Sequence, residues 1–194
     1  MTAPKLEILY PVLLKKLDGL DHRLCYHSKE HTMDVIKQTA TIAMQEGVID
    51  SHNLALVQIA ALYHDAGFLH SYSDHEIHSC KIFIKDAEEF AFSESDKQII
   101  TALIMATRMP QHPNNLLEKI ICDADLDYLG RPDFFELGNR LKMELLQYNL
   151  LSDDKEWLGK QITFLQNHQY HTNSSKVRRA PLKQNHLQIL LAMI

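Results

Sequence analysis

The strongest constraint on the fold is a long apolar segment that runs from residue 51 to residue 65. Its hydrophobic residues follow one another closely: Leu54, Ala55, Leu56, Val57, Ile59, Ala60, Ala61 and Leu62. A helix that is apolar most of the way round belongs in the centre of a core, because it has no broad polar face for water. The segment ends on His64 and Asp65, and Gly67 follows. The sequence therefore predicts an imidazole and a carboxylate at the end of a buried helix.

The rest of the chain carries the start and stop signals of helices. Ser28 is suited to cap a helix that ends near Gly47, a residue type common just after helix ends. Similar signals predict helices at about 74–88, 93–107, 114–122, 132–150 and 153–170, and from Pro181 to the C-terminus. Strand-like alternation is not found. We expect an all-α, single-domain helical bundle over residues 1–194, with a motif core at about 20–150 and C-terminal helices at 151–194.

The sequence also predicts the character of one polar segment, of the N-terminal segment and of four aromatic residues. The polar segment 172–180, with its basic run at 176–179, is predicted to be a solvated loop. Pro11 interrupts a short apolar segment near the start, which lacks a cleavage site and does not resemble a secretory signal. Four aromatic residues are expected in the core: Phe134, Phe135, Trp157 and Tyr170.

Composition excludes some classes of partner. Hydrophobic residues make up 45% of the chain, the net charge is −5, and basic residues form no large block. These values argue against nucleic acid or an anionic membrane surface as the main partner. The longest apolar runs fall short of the ~18 residues of a membrane span. The three cysteines are far apart and form no C-x-x-C motif, which favours reduced thiols and a cytoplasmic protein.

Further histidines and aspartates elsewhere in the chain could join His64 and Asp65 in one site. Upstream, the stretch YHSKEHTMDV contains His27 and His31, which share a face if the stretch is helical. Downstream, the apolar stretch that precedes DADLD leads into three aspartates: Asp123, Asp125 and Asp127. Imidazoles combined with carboxylates suit a divalent metal ion such as Mn²⁺, Fe²⁺, Co²⁺, Ni²⁺, Zn²⁺ or Mg²⁺. The alternative is a hydrogen-bonded core histidine beside a helix-terminal aspartate.

The order H…HD…D on an all-helical chain resembles the HD-domain superfamily of metal-dependent phosphohydrolases. The Y-H-x-x-x-H-T-x-x-V block is also similar to the metal block of cyclic-nucleotide phosphodiesterases. The resemblance implies that His31, His64, Asp65 and Asp125 bind the metal and that His27 donates a proton. Asp125 is chosen over Asp123 because the triplet A-D-L at 124–126 matches the last motif of the superfamily.

The chain also departs from the pattern of the superfamily. Many members place a lysine shortly after the His-Asp pair, where this chain has Phe68. His75 resembles the first of two further histidines in dinuclear members, but the second has no obvious match. A weaker second metal site could use Asp65, His75 and Glu76, or the latter two could form a helix start in water. His75 and Arg108 are candidate substrate-binding residues, although Arg108 equally suits a surface helix end.

The expected activity is hydrolysis of a phosphate ester of a nucleotide or similar small molecule. The expected mechanism combines a metal-activated water, assisted by Asp65, with His27 as the general acid. Two alternatives remain open at this point. One is a catalytically silent module that binds a nucleotide or metal for regulation, and the other is an iron-dependent oxygenase of the same fold. A homodimer is also a reasonable expectation, since many members of the superfamily pair.

Overall fold

A computed structural model describes residues 3–194, and over that range the chain forms helices and no strands. The all-α prediction is confirmed. Nine α-helices follow one another within the described residues: α1 (Ala3–Lys16), α2 (Lys29–Gln45), α3 (Ser51–Tyr63), α4 (His75–Glu89), α5 (Glu94–Ala106), α6 (Leu116–Asp125), α7 (Phe134–Gln147), α8 (Asp154–Asn167) and α9 (Asn173–Leu191). Three short 3₁₀ turns lie between them: Leu17–Gly19, Ala66–Leu69 and Asp127–Gly130.

Helices α1 to α6 enclose a first hydrophobic core with α3 at its centre. On α3, Leu56, Ile59, Leu62 and Tyr63 are completely buried. The neighbouring helices α1, α2, α5 and α6 pack against it, and each contributes residues to the same cluster. Other helices therefore cover most of the surface of α3, which explains why α3 is apolar on nearly every side. This packing fixes the point at which His64 and Asp65 leave the helix.

Helices α7 to α9 form a second hydrophobic core, which includes Phe134, Leu165, Tyr170 and Leu190. Tyr26, from the segment before α2, also belongs to this cluster. The second core therefore packs on the side of the molecule where the first histidine motif begins. The prediction that the whole chain is one domain stays a prediction.

Most helices begin with a side chain that caps the backbone. Ser28, Ser93 and Asn115 accept hydrogen bonds from the backbone N–H groups three residues later, at the starts of α2, α5 and α6. Such caps satisfy N–H groups that have no partner within the helix. The cap at Ser28 matters for the site, because the N–H group that it binds is that of His31.

The prediction of a polar loop at 172–180 followed by a helix from Pro181 is wrong. Helix α9 begins at Asn173 with Thr172 as its cap, and Pro181 lies inside it. A proline inside a helix removes one hydrogen bond, and here the proline lies on an exposed face where water can bind the freed carbonyl. Arg178 and Arg179, expected in solvent, bind the buried carboxylate of Asp127. These ion pairs hold the basic run of α9 against the 3₁₀ turn Asp127–Gly130.

The predicted core aromatics divide into buried and lining residues. Phe134 and Tyr170 are buried, as expected, whereas Phe135 is 40% exposed and does not belong to the core. Trp157 is only partly buried, because it borders a cavity. None of the helices in the described part of the chain combines the length and apolar character that a membrane span requires.

Candidate metal centre

His64 and Asp65 stand where α3 ends and the first core opens toward a cavity. Nδ1 of His64 lies 2.8 Å from the carbonyl oxygen of Ala61, one turn earlier on the same helix. A carbonyl only accepts, so Nδ1 carries a proton and Nε2 is the nitrogen left to bind a metal. Metal-binding histidines usually have their second nitrogen held in this way. The end of α3 therefore presents an imidazole nitrogen in the orientation and tautomer of a ligand.

Two other helices bring matching groups to this point. His31, in the first turn of α2, places Nε2 3.3 Å from Nε2 of His64. The same His31 nitrogen lies 3.3 Å from Oδ2 of Asp65 and 3.4 Å from Oδ1 of Asp125, the last residue of α6. Nε2 of His64 lies 3.2 Å and 3.5 Å from these two oxygens. The four residues that the superfamily resemblance selected thus meet at one place.

The chemistry of this group fits a divalent cation. Oδ2 of Asp65 is buried, and although Nε2 of His31 and of His64 lie close to it, neither contact has the alignment of a regular hydrogen bond. A buried carboxylate oxygen without a well-aligned partner is unfavourable. His31, His64 and Asp65 offer ligand atoms that all lie within 4.8 Å of one another. Two nitrogens and carboxylate oxygens, without a thiolate, form a mixed N/O donor set that suits several first-row metals and Mg²⁺. His31, His64 and Asp65 would hold the cation, with Asp125 beside them.

Protons and a metal cation compete for these groups. Burial opposes a charge on His31, but its hydrogen bonds to Asp125 and Asp65 outweigh burial and raise its pKa to about 9. The pKa of His64 lies well above its ordinary value because the charge of Asp65 outweighs the same effect of burial. Burial disfavours charge on the carboxyls too, yet the imidazoles hold the pKa of Asp65 well below normal and that of Asp125 at about 2. A metal cation that binds here would therefore displace protons from His31 and His64.

A second polar unit lies beside the metal centre, and half of it was not predicted. Nδ1 of His27 forms a short hydrogen bond to Oε1 of Glu144, a residue of α7 whose side chain is completely buried. Oε2 of Glu144 accepts the backbone N–H groups of Tyr26 and His27 at 2.9 and 3.0 Å, and Oε1 accepts the hydroxyl of Tyr72 at 3.0 Å. Burial opposes charge on Glu144, but the hydrogen bond from His27 leads the effects that lower its pKa.

Glu144 therefore remains ionised and holds His27 by Nδ1, which leaves Nε2 as the nitrogen available to the cavity. Sequence reasoning missed Glu144 because it lies 117 residues from His27 in an ordinary amphipathic helix. The signal available in the sequence was one of two glutamates among the polar and apolar residues of a long helix. Such a residue is indistinguishable from a surface glutamate until the helix is packed.

Phe68 occupies the position where many members of the superfamily have a lysine, and it has a structural role of its own. Its ring stacks on His27 with centroids 4.4 Å apart and on His75 with centroids 4.0 Å apart. Nε2 of His75 lies 3.4 Å from Oδ1 of Asp65 and 3.5 Å from Oε1 of Glu76. Glu76 is buried, so a helix start in water does not describe this turn.

Gly67 makes the close approach of α4 possible. A Cβ atom at this position would lie 1.8 Å from the backbone oxygen of His75, well inside contact distance. Its N–H group donates to the hydroxyl of Ser79, which in turn donates to the carbonyl oxygen of His64, at 2.8 and 2.7 Å. The missing side chain and the serine bridge together dock the start of α4 against the turn that carries Asp65.

Other predicted or considered residues lie apart from this group. The guanidinium of Arg108 pairs with Asp74 at the surface and borders a different, shallow pocket. Its predicted contact with substrate stays a prediction. Asp123 accepts hydrogen bonds from the backbone of His171 and from both the backbone and hydroxyl of Thr172, at 2.6 to 2.8 Å. Asp123 therefore anchors the start of α9, which explains why Asp125 and not Asp123 faces the histidines.

A cavity of about 290 Å³ opens beside the metal centre. Its polar end is lined by His27, Asp65, His75, Glu76 and Asp125. Its opposite wall comes from α7 and α8 and is mostly apolar. This volume lies near the lower end of the range of roughly 300–1,000 Å³ that is typical of small-molecule sites. A small molecule bound in it would contact the metal centre and His27 together.

Comparison with known proteins gives one match. The sequence profile of the HD domain matches residues 29–127, which is slightly more than half of the chain. Neither a curated protein nor a solved structure matches the chain significantly. The matched segment contains His31, His64, Asp65 and Asp125, and it excludes His27, Glu144 and the three C-terminal helices. This chain belongs to the HD domain family, whose members are in general metal-dependent hydrolases.

Proposed function

We propose that this protein is a metal-dependent phosphohydrolase that cleaves a phosphate ester of a nucleotide or a similar small molecule. The observation that carries the proposal is the position of His27. Its imidazole is held by the buried Glu144 and lines the same cavity as Asp65 and Asp125 of the metal centre. A binding module needs the metal centre alone, whereas ester hydrolysis also needs a group that can protonate the leaving oxygen.

A divalent cation at this centre would supply a water whose pKa is lowered toward neutrality and would attract a phosphate oxygen. The residues of the chain supply the rest. Asp65 and Asp125 border the cavity as ionised carboxylates and are suited to accept a proton from the attacking water. Glu144 keeps Nδ1 of His27 protonated, so the proton that is transferred is the one on Nε2. Nε2 of His27 then donates this proton to the departing ester oxygen.

His75 and Phe68 position the reacting groups in this proposal. Phe68 stacks between the rings of His27 and His75 and so restricts the orientation of both imidazoles. Its phenyl ring carries no charge and takes no part in proton transfer. His75 contacts Asp65 and faces the cavity, where a protonated imidazole would bind a phosphate oxygen. Burial opposes charge on His75, but the hydrogen bond to Asp65 and the nearby carboxylates raise its pKa. The positive form of His75 is therefore favoured more than that of an ordinary histidine.

The test combines metal content with turnover. Protein purified without chelator is analysed for metals, loaded with Mn²⁺, and assayed with a panel of phosphomonoesters, phosphodiesters and nucleotides. We expect turnover that is abolished by a chelator and restored by Mn²⁺. His64→Ala is the control that should lose both metal and turnover. A protein that binds Mn²⁺ but cleaves none of these esters would instead be a regulatory binding module.

Two variants assign the histidines of the first motif. His31→Ala should weaken metal binding, with partial recovery of activity in excess metal. His27→Ala should keep its metal and lose roughly 10²–10⁴ in turnover, the usual share of general acid catalysis. This loss should shrink for a p-nitrophenyl ester, whose leaving group needs no proton. If His27→Ala loses metal while His31→Ala retains it, the two roles must be exchanged.

A further inference from the structure

The cavity beside the metal centre has walls of opposite character. The polar wall carries the metal centre and His27, whereas helices α7 and α8 contribute Leu141, Leu145, Trp157, Phe164 and Leu165 to the facing wall. Among these five residues, only Trp157 has a group that can hydrogen-bond a phosphate, its indole N–H. The polar residues that α8 adds to the lining are Lys160 and Gln161. An apolar wall that borders open space gains free energy when it covers an apolar or aromatic group of a ligand.

The charges around the cavity differ from those of a polyphosphate site. Three acidic residues line it: Asp65, Glu76 and Asp125. Among the lining residues the single lysine or arginine is Lys160, and its ammonium group already lies 2.9 Å from Glu156 and 3.0 Å from the carbonyl oxygen of Leu150. A cavity with this balance can neutralise one phosphate at the metal centre, and further phosphates would meet carboxylates.

Three guanidinium groups lie close in the sequence to the motifs, and each has an acidic partner: Arg23 pairs with Asp21, Arg108 with Asp74, and Arg131 with Asp34 and Asp133. None of these three arginines lines the cavity, and Arg131 borders a separate pocket beside His31 and Asp125. Sites that bind di- and triphosphates normally surround each added phosphate with arginine, lysine or backbone N–H groups. The described residues of this cavity provide no second cluster of such donors.

We infer that the substrate carries one phosphate, bound at the polar wall, and an apolar or aromatic group on the ester oxygen, bound against α7 and α8. Esters with a chain of phosphates should be poorer substrates, because the added phosphates would meet the carboxylates of this cavity. This inference rests on the proposed function, because it assigns the two walls to the two parts of one ester. It narrows the substrate from any nucleotide-like ester to monophosphates with an apolar or aromatic group.

The inference is tested first with esters that differ only in the organic group. Benzyl and ethyl phosphate release primary alcohols of similar acidity, and the corresponding methyl diesters extend the comparison to a diesterase. With Mn²⁺-loaded protein, kcat/KM should be roughly 10- to 100-fold higher for the benzyl esters, which matches burial of one aromatic side group. AMP and ATP test the charge argument, and ATP should be the poorer substrate. Equal rates for benzyl and ethyl esters, or a tenfold preference for ATP, would overturn the inference.

A matched pair of variants locates the effect. Leu141→Phe reduces the space at the apolar wall and should raise KM for the benzyl ester about tenfold while leaving the ethyl ester nearly unchanged. Leu145→Phe is the second variant should the first not fold. Met143→Phe, on the same helix but exposed and outside the lining, is the control that should change neither ester. An equal effect of the wall variants and Met143→Phe would argue against α7 as the binding wall.

Fluorescence of Trp157 separates this inference from the proposed function. It is the one tryptophan of the chain and lies in the apolar wall. Benzyl phosphate should change its emission at lower concentration than ethyl phosphate, and Leu141→Phe should weaken that response. If no ester is hydrolysed but this response is seen, the proposed function fails and the assignment of the wall stands. If esters are hydrolysed and neither the response nor the rate depends on the aromatic group, the assignment fails alone.

Discussion

The two hydrophobic cores of the molecule contribute to the site in different ways. The first core, built by α1 to α6, positions the four metal-centre residues at the ends or starts of helices. The second core, built by α7 to α9, provides Glu144 and the apolar wall of the cavity. The HD profile covers most of the first region and ends before α7. A family match can therefore identify the metal chemistry of a chain while it leaves the group that orients the acid and the substrate wall undescribed.

The largest effect is expected from removing a ligand in the first core. Asp65→Ala deletes the carboxylate whose two oxygens contact His31, His64 and His75. We expect bound metal to fall to background and turnover to disappear. Elemental analysis of protein purified without chelator measures the first, and ester hydrolysis the second. Retention of a full equivalent of metal would place the centre elsewhere.

A change of one atom in the second core should have a different signature. Glu144→Gln preserves shape but removes the charge that holds His27, so metal content should stay constant. Turnover of an alkyl ester should fall by roughly 10²–10⁴, as for loss of the acid itself. A p-nitrophenyl ester should be affected much less. If Glu144→Gln and Asp65→Ala both lose metal, it is wrong that the first core alone holds the metal while the second core orients His27.

Within the second core, the contact between α9 and the 3₁₀ turn Asp127–Gly130 can be broken at Asp127. This carboxylate is 1% exposed and binds Arg178 and Arg179 of α9. Breaking a buried ion pair from one side costs about 3–5 kcal/mol because it leaves the other charges without a partner. Asp127→Asn should therefore lower the free energy of unfolding by about 3 kcal/mol in urea titrations. Asp133→Asn is the control, since its side chain is 40% exposed and its loss should cost under about 1 kcal/mol.

The smallest effect is a pH dependence of opposite sign in the two cores of metal-free protein. Burial, followed by the charge of Lys183, lowers the pKa of His168 to about 3, whereas that of His31 is raised to about 9. His168 therefore contributes stability above pH 6.5 that is lost as the pH falls toward 3. His31 contributes stability below pH 6.5 that is lost as the pH rises through 9.

At pH 5.5 the cost from His168 should be about 1 kcal/mol, since one pH unit corresponds to about 1.4 kcal/mol. Urea unfolding of chelator-treated protein between pH 5 and 9 measures both slopes. His168→Gln should flatten the acid side alone, and added metal should flatten the alkaline side alone. If the acid slope of the wild-type protein is unchanged in His168→Gln, His168 does not cause the loss of stability at acid pH.

The sequence was informative where chemistry and helix ends coincide. His31, His64, Asp65 and Asp125 stand at helix termini with recognisable neighbours, so both their helices and their convergence could be expected. The central position of α3 could also be predicted. A helix that is buried on all sides must be apolar on all sides, and the sequence shows this directly.

The remaining features depend on packing across long separations. Pro181 and the basic run beside it are typical of a loop, yet the buried charge of Asp127 holds them in a helix. Trp157 resembles a core residue and instead borders a cavity. Glu144 has no local pattern at all, because what distinguishes it is the four hydrogen bonds that it accepts from residues more than 70 positions away.

The contact at Gly67 has a consequence for how mutations in this chain would be interpreted. A residue with no side chain cannot bind metal, transfer a proton or touch substrate, so a scan for chemical groups would pass over it. Any other residue there would push away the start of α4, and with it His75 and Glu76. In a saturation mutagenesis experiment, position 67 should therefore tolerate as few substitutions as the metal ligands themselves. What activity requires at this position is the absence of a side chain.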